Sequence, residues 1–402
     1  MNALSERKFL IYFVSNTLSV LGVWIQKVAL GWFAWQISGS TFLTSIVAIG
    51  LMAPPGILGP FIAVYAENWD FKFSSILIKS LMFTISFIIW LMQINQLHTI
   101  ETLIILSFIL GILTAFYHPI RLVYVTIIVS KNLLPSAIGL NSTSWNGSRV
   151  LGPAIAGLSI TSIGLENTLL CGLFFSIPMI FALIFLSVIK REIFYDKSDR
   201  FINKILEGIN EINKKQIILV CLVAAGINSF FIRSILEIQP AIIGQIFSGN
   251  SIYLAYATAS AGFGALLSSL LIGSGKLKIN EIKNLIFPSL IVGFISIMLV
   301  SFSKNIFTMS FTFLICGSTT TIVGIGAQSI IQLSVKENFR TRVVTWWSTI
   351  SFACITFGGL IVGAIGDKLT INYGILLSSV IGIICTGFYF IYLKKRSNQI
   401  FD

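Results

Sequence analysis

Arg233 and Glu237 carry opposite charges and lie four residues apart in an otherwise apolar stretch. Residues at this spacing share one face of an α-helix, where their side chains can form an ion pair. A carboxyl group in apolar surroundings can also take up and release a proton. Glu237 is therefore a candidate proton carrier whose protonation would release Arg233. The alternative is a permanent ion pair that steadies the helix.

Five other polar side chains lie in four other apolar stretches and are candidates for binding a ligand: Gln26, Lys27, Arg121, Arg149 and Gln328. With Arg233 they set four cations against one acid, which favours a ligand that bears negative charge. The alternatives are extension of Lys27 and Arg121 towards a polar surface, and a helix–helix hydrogen bond for Arg149. We assign Lys79, near one end of its apolar stretch, to such an extension.

Other kinds of chemistry find little support in the sequence. All five cysteines lie in apolar runs without a C-x-x-C pair, and His98 and His118 lack neighbours at metal-ligand spacing. No G-x-x-x-x-G-K-[ST] run is present, which argues against an ATP-driven pump. The loops contain no nucleophile–base–acid set. We therefore predict no enzyme activity, no cofactor and no metal.

The elements that position these residues are helices that cross a membrane. Only 10% of the residues are charged and 55% are hydrophobic, whereas soluble domains carry about 25% charged residues. A helix needs about 20 apolar residues to cross the hydrocarbon core of a bilayer. Twelve segments meet this requirement: 9–36, 42–66, 73–94, 102–129, 136–161, 168–189, 216–247, 251–273, 284–303, 306–333, 343–365 and 374–393. The sequence thus predicts an all-α integral membrane fold.

Positive charge is distributed unevenly among the loops. Of the 27 Lys and Arg residues, 20 fall in alternate loops or at the termini, and only Lys304 and Lys368 fall in the other loops. Short loops rich in Lys and Arg remain in the cytoplasm, so we expect both termini to be cytoplasmic. The net charge of +12 then reflects orientation and attraction to lipid head groups and does not indicate nucleic-acid binding.

The longest polar segment, 190–215, divides the chain into two six-helix halves, 1–189 and 216–402. Apolar residues recur at helical spacing within it, which favours a short helix on the cytoplasmic membrane surface. A solvated flexible linker is the alternative. A faint repeat supports duplication, because Gly152–Gly157 and Gly358–Gly363 follow a lysine after similar intervals in the two halves.

Twelve spans with a central loop resemble the major facilitator superfamily. Several runs are similar to its enterobactin-exporter-like branch, also called transmembrane secretion effectors. These runs are Leu21–Trp32 with Ser38-Gly39-Ser40, Leu133–Ala137 through Asn141, Asn146 and Arg149 to Gly152–Gly157, Arg233 with Leu236-Glu237 and Pro240, and Gly262–Ala265. The resemblance implies that helices one, four, seven and ten line a central cavity. Lys27, Arg121, Glu237 and Gln328 would then converge there.

Two conformational motifs of the superfamily have counterparts here. The loop between helices two and three usually reads G-x-x-x-D-R-x-x-R-R. This chain departs from that pattern and retains only an acid, Glu67, and the final base, Lys72, with Asp70 as a further acid between them. Helix five carries a variant of the antiporter motif, with small residues and a proline that permit close helix packing and a bend. Its members are Gly139, Ser148, Gly152, Pro153 and Gly157.

These observations predict a secondary active transporter in a bacterial inner membrane. We expect proton-coupled export of small organic molecules that are siderophore-like or drug-like. The alternatives are an uptake carrier or uniporter of the same fold, and a lipid-moving or non-transporting membrane partner. The expected partners are a small-molecule substrate, protons and membrane lipids, and the expected state is a monomer.

Overall fold

Long apolar helices make up nearly all of the chain that the structure describes. The computed structural model describes residues 3–65, 70–130, 133–186, 210–212, 215–273, 279–335 and 337–395. Nine helices each form one continuous element: α1 Arg7–Ser38, α2 Thr41–Tyr65, α3 Phe71–Ile94, α4 Ile100–Ile128, α8 Ser251–Gly273, α9 Ile279–Phe302, α10 Ile306–Ser334, α11 Glu337–Lys368 and α12 Ile371–Lys395.

The helix Leu134–Phe185 is two spans joined at one residue. Gly164 has φ 84° and ψ 169°, a conformation that only glycine adopts without strain. We name the arms 134–163 and 165–185 α5 and α6. The sequence predicted a loop over residues 162–167, but helical structure continues on both sides of Gly164 and the connection is a single glycine. Counting these arms separately gives the twelve predicted spans.

The seventh span, α7, is built from four consecutive pieces. They are Gln216–Ile227, a π-helical turn over Asn228–Arg233, Ser234–Glu237 and Gln239–Ile246. Proline lacks a backbone N–H and its ring collides with the carbonyl four residues earlier. Pro240 therefore ends the helix before it, and the chain bends at Ile238, with φ −103° and ψ 19°. The uninterrupted helix predicted over 216–247 was wrong on this point.

The chain divides into two compact units. Unit 1 comprises Met1–Gly39, Ile46–Tyr195 and Asn250–Ala255, and unit 2 comprises Ser40–Ser45, Asp196–Gly249 and Tyr256–Asp402. Unit 1 thus includes the first residues of α8, and unit 2 includes the first residues of α2. Most of the proposed linker 190–215 lies outside the described residues, so its form and the exact half boundaries stay predictions.

Apolar side chains cover the outer faces of both units. On α3 these include Leu77, Leu81 and Leu91, and on α12 they include Phe388 and Ile391. Such extended exposed apolar surfaces are unusual for soluble proteins and mark contact with another apolar phase. The inner faces hold the larger buried aromatic side chains together with the polar groups described below.

Candidate functional site

The ion pair predicted in α7 has the expected partners. Arg233 Nε lies 3.9 Å from Glu237 Oε1, and the two side chains are 22% and 14% exposed. Glu237 is the last residue before the bend at Ile238, so its carboxylate sits where the helix is interrupted. Irregular backbone in membrane proteins occurs where it is buried in protein or lines a cavity.

The π-helical turn before this pair is fixed by neighbouring helices. Thr320 Oγ1 on α10 donates to Asn228 Oδ1 over 2.9 Å, and Asn228 Nδ2 donates to the Thr320 carbonyl over 3.4 Å. On α11, a Cβ added at Gly358 would lie only 1.9 Å from the Phe230 carbonyl oxygen. The turn is therefore in direct backbone contact with α11. Turns of this kind are frequent at functional sites.

A second polar cluster lies inside unit 1, around Arg121 of α4. Arg121 is 4% exposed, its Nη1 donates to Asn141 Oδ1 over 3.4 Å, and its guanidinium lies 4.4 Å from the centre of the Trp145 ring. Asn16 Nδ2 on α1 donates to the same Asn141 oxygen. The structure therefore does not support the alternative of an extension of Arg121 to a polar surface, because the side chain is buried within the unit.

Lys27 joins this cluster through two tryptophans. Its Nζ lies 4.8 Å from the centre of the Trp24 ring and 3.6 Å from Met52 Sδ. The Trp24 and Trp145 rings meet edge to face at 5.9 Å, so the cations of α1 and α4 are linked by a pair of aromatic rings. His118 also meets Trp145 edge to face, at 5.5 Å. The cluster thus combines two positive charges with aromatic ring faces.

The position of Lys79 on α3 contradicts our assignment of this side chain to extension towards a polar surface. Lys79 lies about 12 Å along the helix from its first residue, is 3% exposed, and donates from Nζ to Ser19 Oγ over 2.8 Å. The ammonium also lies 4.3 Å from the centre of the Tyr117 ring. Lys79 therefore points inward and does not extend to the membrane surface. Gln26 and Lys79 border the same cavity.

The remaining polar candidates, Arg149 and Gln328, are both partly buried on α5 and α10. Lys27 and Arg121 belong to unit 1, whereas Glu237 and Gln328 belong to unit 2. The structure brings Lys27 and Arg121 into one cluster within unit 1. Convergence of all four side chains on one cavity stays a prediction.

The small residues of α5 have different surroundings. A Cβ added at Gly152 would lie 2.4 Å from Trp24 Cβ, and one at Gly157 would lie 2.4 Å from Ala255 Cα. Ser148 Oγ donates to the Thr17 carbonyl over 3.4 Å. No described residue lies within 4 Å of the place where a Cβ at Gly139 would stand. Pro153 lies inside the helix and is partly buried.

The repeat on α11 shows the same arrangement of contacts. Gly358 touches α7, as described, and a Cβ added at Gly363 would lie 2.4 Å from Ser45 Oγ at the start of α2. Gly152 and Gly157 of α5 touch α1 and the start of α8 in the same way. The four glycines thus occupy corresponding places with respect to helices one, two, seven and eight.

The loop before α3 is described only in part, because Glu67 lies outside the described residues. Asp70 is the N-cap of α3 and accepts hydrogen bonds from the backbone N–H groups of Lys72 and Phe73 over 2.9 and 3.0 Å. This contact satisfies two donors that the helix start would otherwise leave without a partner. Lys72 is partly buried.

Asp367, near the end of α11, was missed by the sequence analysis. Its carboxylate accepts hydrogen bonds from the Thr41 backbone N–H at 2.6 Å, from Thr41 Oγ1 at 2.7 Å and from the Ser40 hydroxyl. It therefore caps the start of α2 from another helix. In the sequence, its position after Gly363 and Gly366 could have indicated a contact with another helix. The predicted span ended at 365, however, and left Asp367 in a loop.

Comparison with known proteins agrees with this architecture. The family model described as transmembrane secretion effector matches residues 1–400. Macrolide efflux protein A of Streptococcus pyogenes is 21% identical over 94% of each chain. The uncharacterized MFS-type transporter YfiS of Bacillus subtilis strain 168 is 23% identical over 84% of this chain and 82% of its own.

Solved structures show the same fold. A bacterial homolog of the human lysosomal transporter Spinster superposes with TM-score 0.73 at 15% identity, over 96% of this chain and 97% of its own. A mutant form of the nucleoside transporter NupG superposes with TM-score 0.74 at 12% identity, over 96% of this chain and 100% of its own. The chain therefore belongs to the transmembrane secretion effector family and is a multi-pass transporter of the major facilitator superfamily, not an enzyme.

Proposed function

We propose that this protein exports small organic molecules from a bacterial cytoplasm in exchange for protons. The protein would be a monomer in the inner membrane, and both of its termini would lie in the cytoplasm. The observation that carries the coupling is the position of Glu237, a mostly buried acid at the bend of α7, 3.9 Å from Arg233. A proton that binds Glu237 would free Arg233 to contact another helix. Because proton and substrate must cross in opposite directions, the substrate would leave the protein when Glu237 is protonated.

Export, as opposed to uptake, is supported by the similarity to macrolide efflux protein A over 94% of both chains. The resemblance of α5 to the antiporter motif also supports it, with Gly152 and Gly157 in close contact with neighbouring helices. Protons that enter the cell down a potential of 100 mV each supply about 2.3 kcal/mol. That free energy is enough for modest accumulation of a neutral or anionic solute outside the cell.

The substrate class follows from the cluster in unit 1. Arg121 and Lys27 lie against Trp145 and Trp24, so the cluster offers positive charge and flat aromatic surface together. These features support a siderophore-like or drug-like organic molecule that has an aromatic ring and an acidic group.

Transport into inverted membrane vesicles tests the proposal. A proton gradient, acidic inside, is imposed on vesicles with and without the protein. The vesicles are then given a radiolabelled aromatic carboxylate as first probe and a macrolide as the second. An untargeted comparison of metabolites retained by cells with and without the protein supplies further probes. We expect the protein to drive uptake of a probe into the vesicles, and a protonophore to abolish it.

Glu237→Gln should abolish the gradient-driven uptake and keep the protein inserted. The matched control is Glu281→Gln, because Glu281 is an exposed acid in the first turn of α9. Gradient-driven uptake that survives in Glu237→Gln would remove Glu237 as the proton site. Probe flux that ignores the protonophore in the native protein would instead favour a uniporter.

A further inference from the structure

A cavity inside unit 1 holds a buried cation that the proposed transport mechanism does not use. The cavity lies between α1, α3 and α6. Five of its lining side chains are polar: Ser19, Gln26, Lys79, Ser86 and Ser176. Polar groups are costly to bury unless they have hydrogen-bond partners, so this lining suits a small polar group as the occupant.

The charge in this cavity lacks an anionic partner among the residues that the structure describes. Lys79 is 3% exposed, and its contacts are the Ser19 hydroxyl and the face of the Tyr117 ring. Neither is charged. The guanidinium of Arg121 acts on Lys79 as a second positive charge. A buried cation is costly unless it is paired with an opposite charge.

The cavity also contains a neutral donor that has no acceptor. Gln26 Nε2 is buried and has no hydrogen-bond partner within the described part of the chain, and Gln26 borders the cavity together with Lys79. Buried donors in native proteins are nearly always paired. An ammonium, an amide N–H group and three hydroxyl groups therefore border one space.

From this arrangement we infer that the cavity is a binding site for an oxyanion, a carboxylate or phosphate group, that pairs with Lys79. The hydroxyl groups of Ser19 and Ser86 and the amide of Gln26 would supply neutral hydrogen bonds, whereas the Ser176 hydroxyl already donates to the Leu173 carbonyl over 2.7 Å. The group can belong to a free small anion or to the head of an anionic lipid. The inference depends only on unit 1 and does not depend on proton coupling at Glu237.

Thermal unfolding of the purified full-length protein in dodecyl maltoside tests this inference. The probes are inorganic phosphate, acetate and phosphatidylglycerol, with sodium chloride and phosphatidylcholine as controls for ionic strength and for lipid. A ligand that binds only the folded state raises Tm in a concentration-dependent way. We expect at least one anionic probe to raise Tm above its control. A rise with phosphatidylglycerol alone identifies a lipid head group, and a rise with phosphate or acetate identifies a free anion.

Lys79→Met should weaken the apparent Kd for that probe at least about tenfold. Lys304→Met is the matched control, because Lys304 is exposed just before α10, and it should bind as the native protein does. Ser176→Leu fills the cavity but keeps the cation, so it should weaken binding to a similar extent and covers the case in which Lys79→Met does not fold. Unchanged affinity in either cavity variant, or no rise in Tm with any anionic probe, would overturn the inference.

Discussion

Thr320 of α10 donates a hydrogen bond to Asn228 of α7 over 2.9 Å, at the first residue of the π-helical turn. Asn228 returns a longer one, 3.4 Å, to the Thr320 carbonyl. The amide side chain is thus used as both acceptor and donor. This pair holds the irregular part of α7 against a regular helix, five residues before Arg233.

We expect Asn228→Ala and Thr320→Val to show a coupling free energy of about 0.6 kcal/mol in a double-mutant cycle, the mean for hydrogen bonds between membrane helices. Thermal or denaturant unfolding of the two single variants and the double variant measures it. Thr308→Val is the control partner, since Thr308 Oγ1 donates to the Asn305 carbonyl at the start of its own helix. A coupling near zero for Asn228 with Thr320 would contradict the bond.

Gly358→Ala should destabilise unit 2, because the added Cβ would lie 1.9 Å from the Phe230 carbonyl oxygen. Overpacking of this kind costs about 1–3 kcal/mol. Gly387→Ala on α12 is the matched control, with open space around the new Cβ. Melting temperatures of the two variants give the comparison, and equal values would show that α11 can shift away from α7 without cost.

Asp70→Ala should lower stability by about 1 kcal/mol, the usual effect of removing a helix N-cap. Asp70→Asn should retain most of the stability, because an amide oxygen can accept the same bonds from Lys72 and Phe73. Unfolding and transport are measured together on both variants. If Asp70→Asn is stable but loses transport, then transport requires the negative charge of Asp70 as well as its N-cap hydrogen bonds.

Arg121→Met should leave stability unchanged or raise it slightly. Arg121 is buried against Trp145 and Asn141 and has no carboxylate partner among the described residues, and replacement of a buried ionic group by an apolar one of similar size is often neutral or stabilising. Transport of an identified probe should fall at least about tenfold if the guanidinium binds it. A loss of stability above about 2 kcal/mol would assign Arg121 to the fold instead.

Much of the fold could be predicted because apolar length and loop charge are visible in the sequence. The breaks were harder. Pro240 was a plain signal for the bend of α7 and was not used, whereas the lone non-helical residue at Gly164 could not be told from an ordinary loop. The π-helical turn has no signature in residue type, because it depends on the packing of α10 and α11.

Residue spacing could predict only the pair of site residues that lies within one helix. The spacing of Arg233 and Glu237 is enough to place them together. Lys79 was misassigned because depth in the span was judged without the direction of the side chain. Ser75, Lys79 and Ser86 are all buried on α3, and their helical spacing was a sign of an inward polar face that the sequence already contained.

The extra residue in the π-helical turn determines the direction in which all later side chains of α7 point around the helix axis. One residue advances a helix by about 100°, so a deletion within Asn228–Arg233 would rotate the Glu237 carboxylate onto a different side without any change of amino-acid type nearby. Two chains with the same acid in the same span, but one residue different in length at that turn, would aim it at different neighbours. An insertion or deletion in this turn could therefore place the buried carboxylate in the site where it acts, or remove it from that site, without a change of the acid itself.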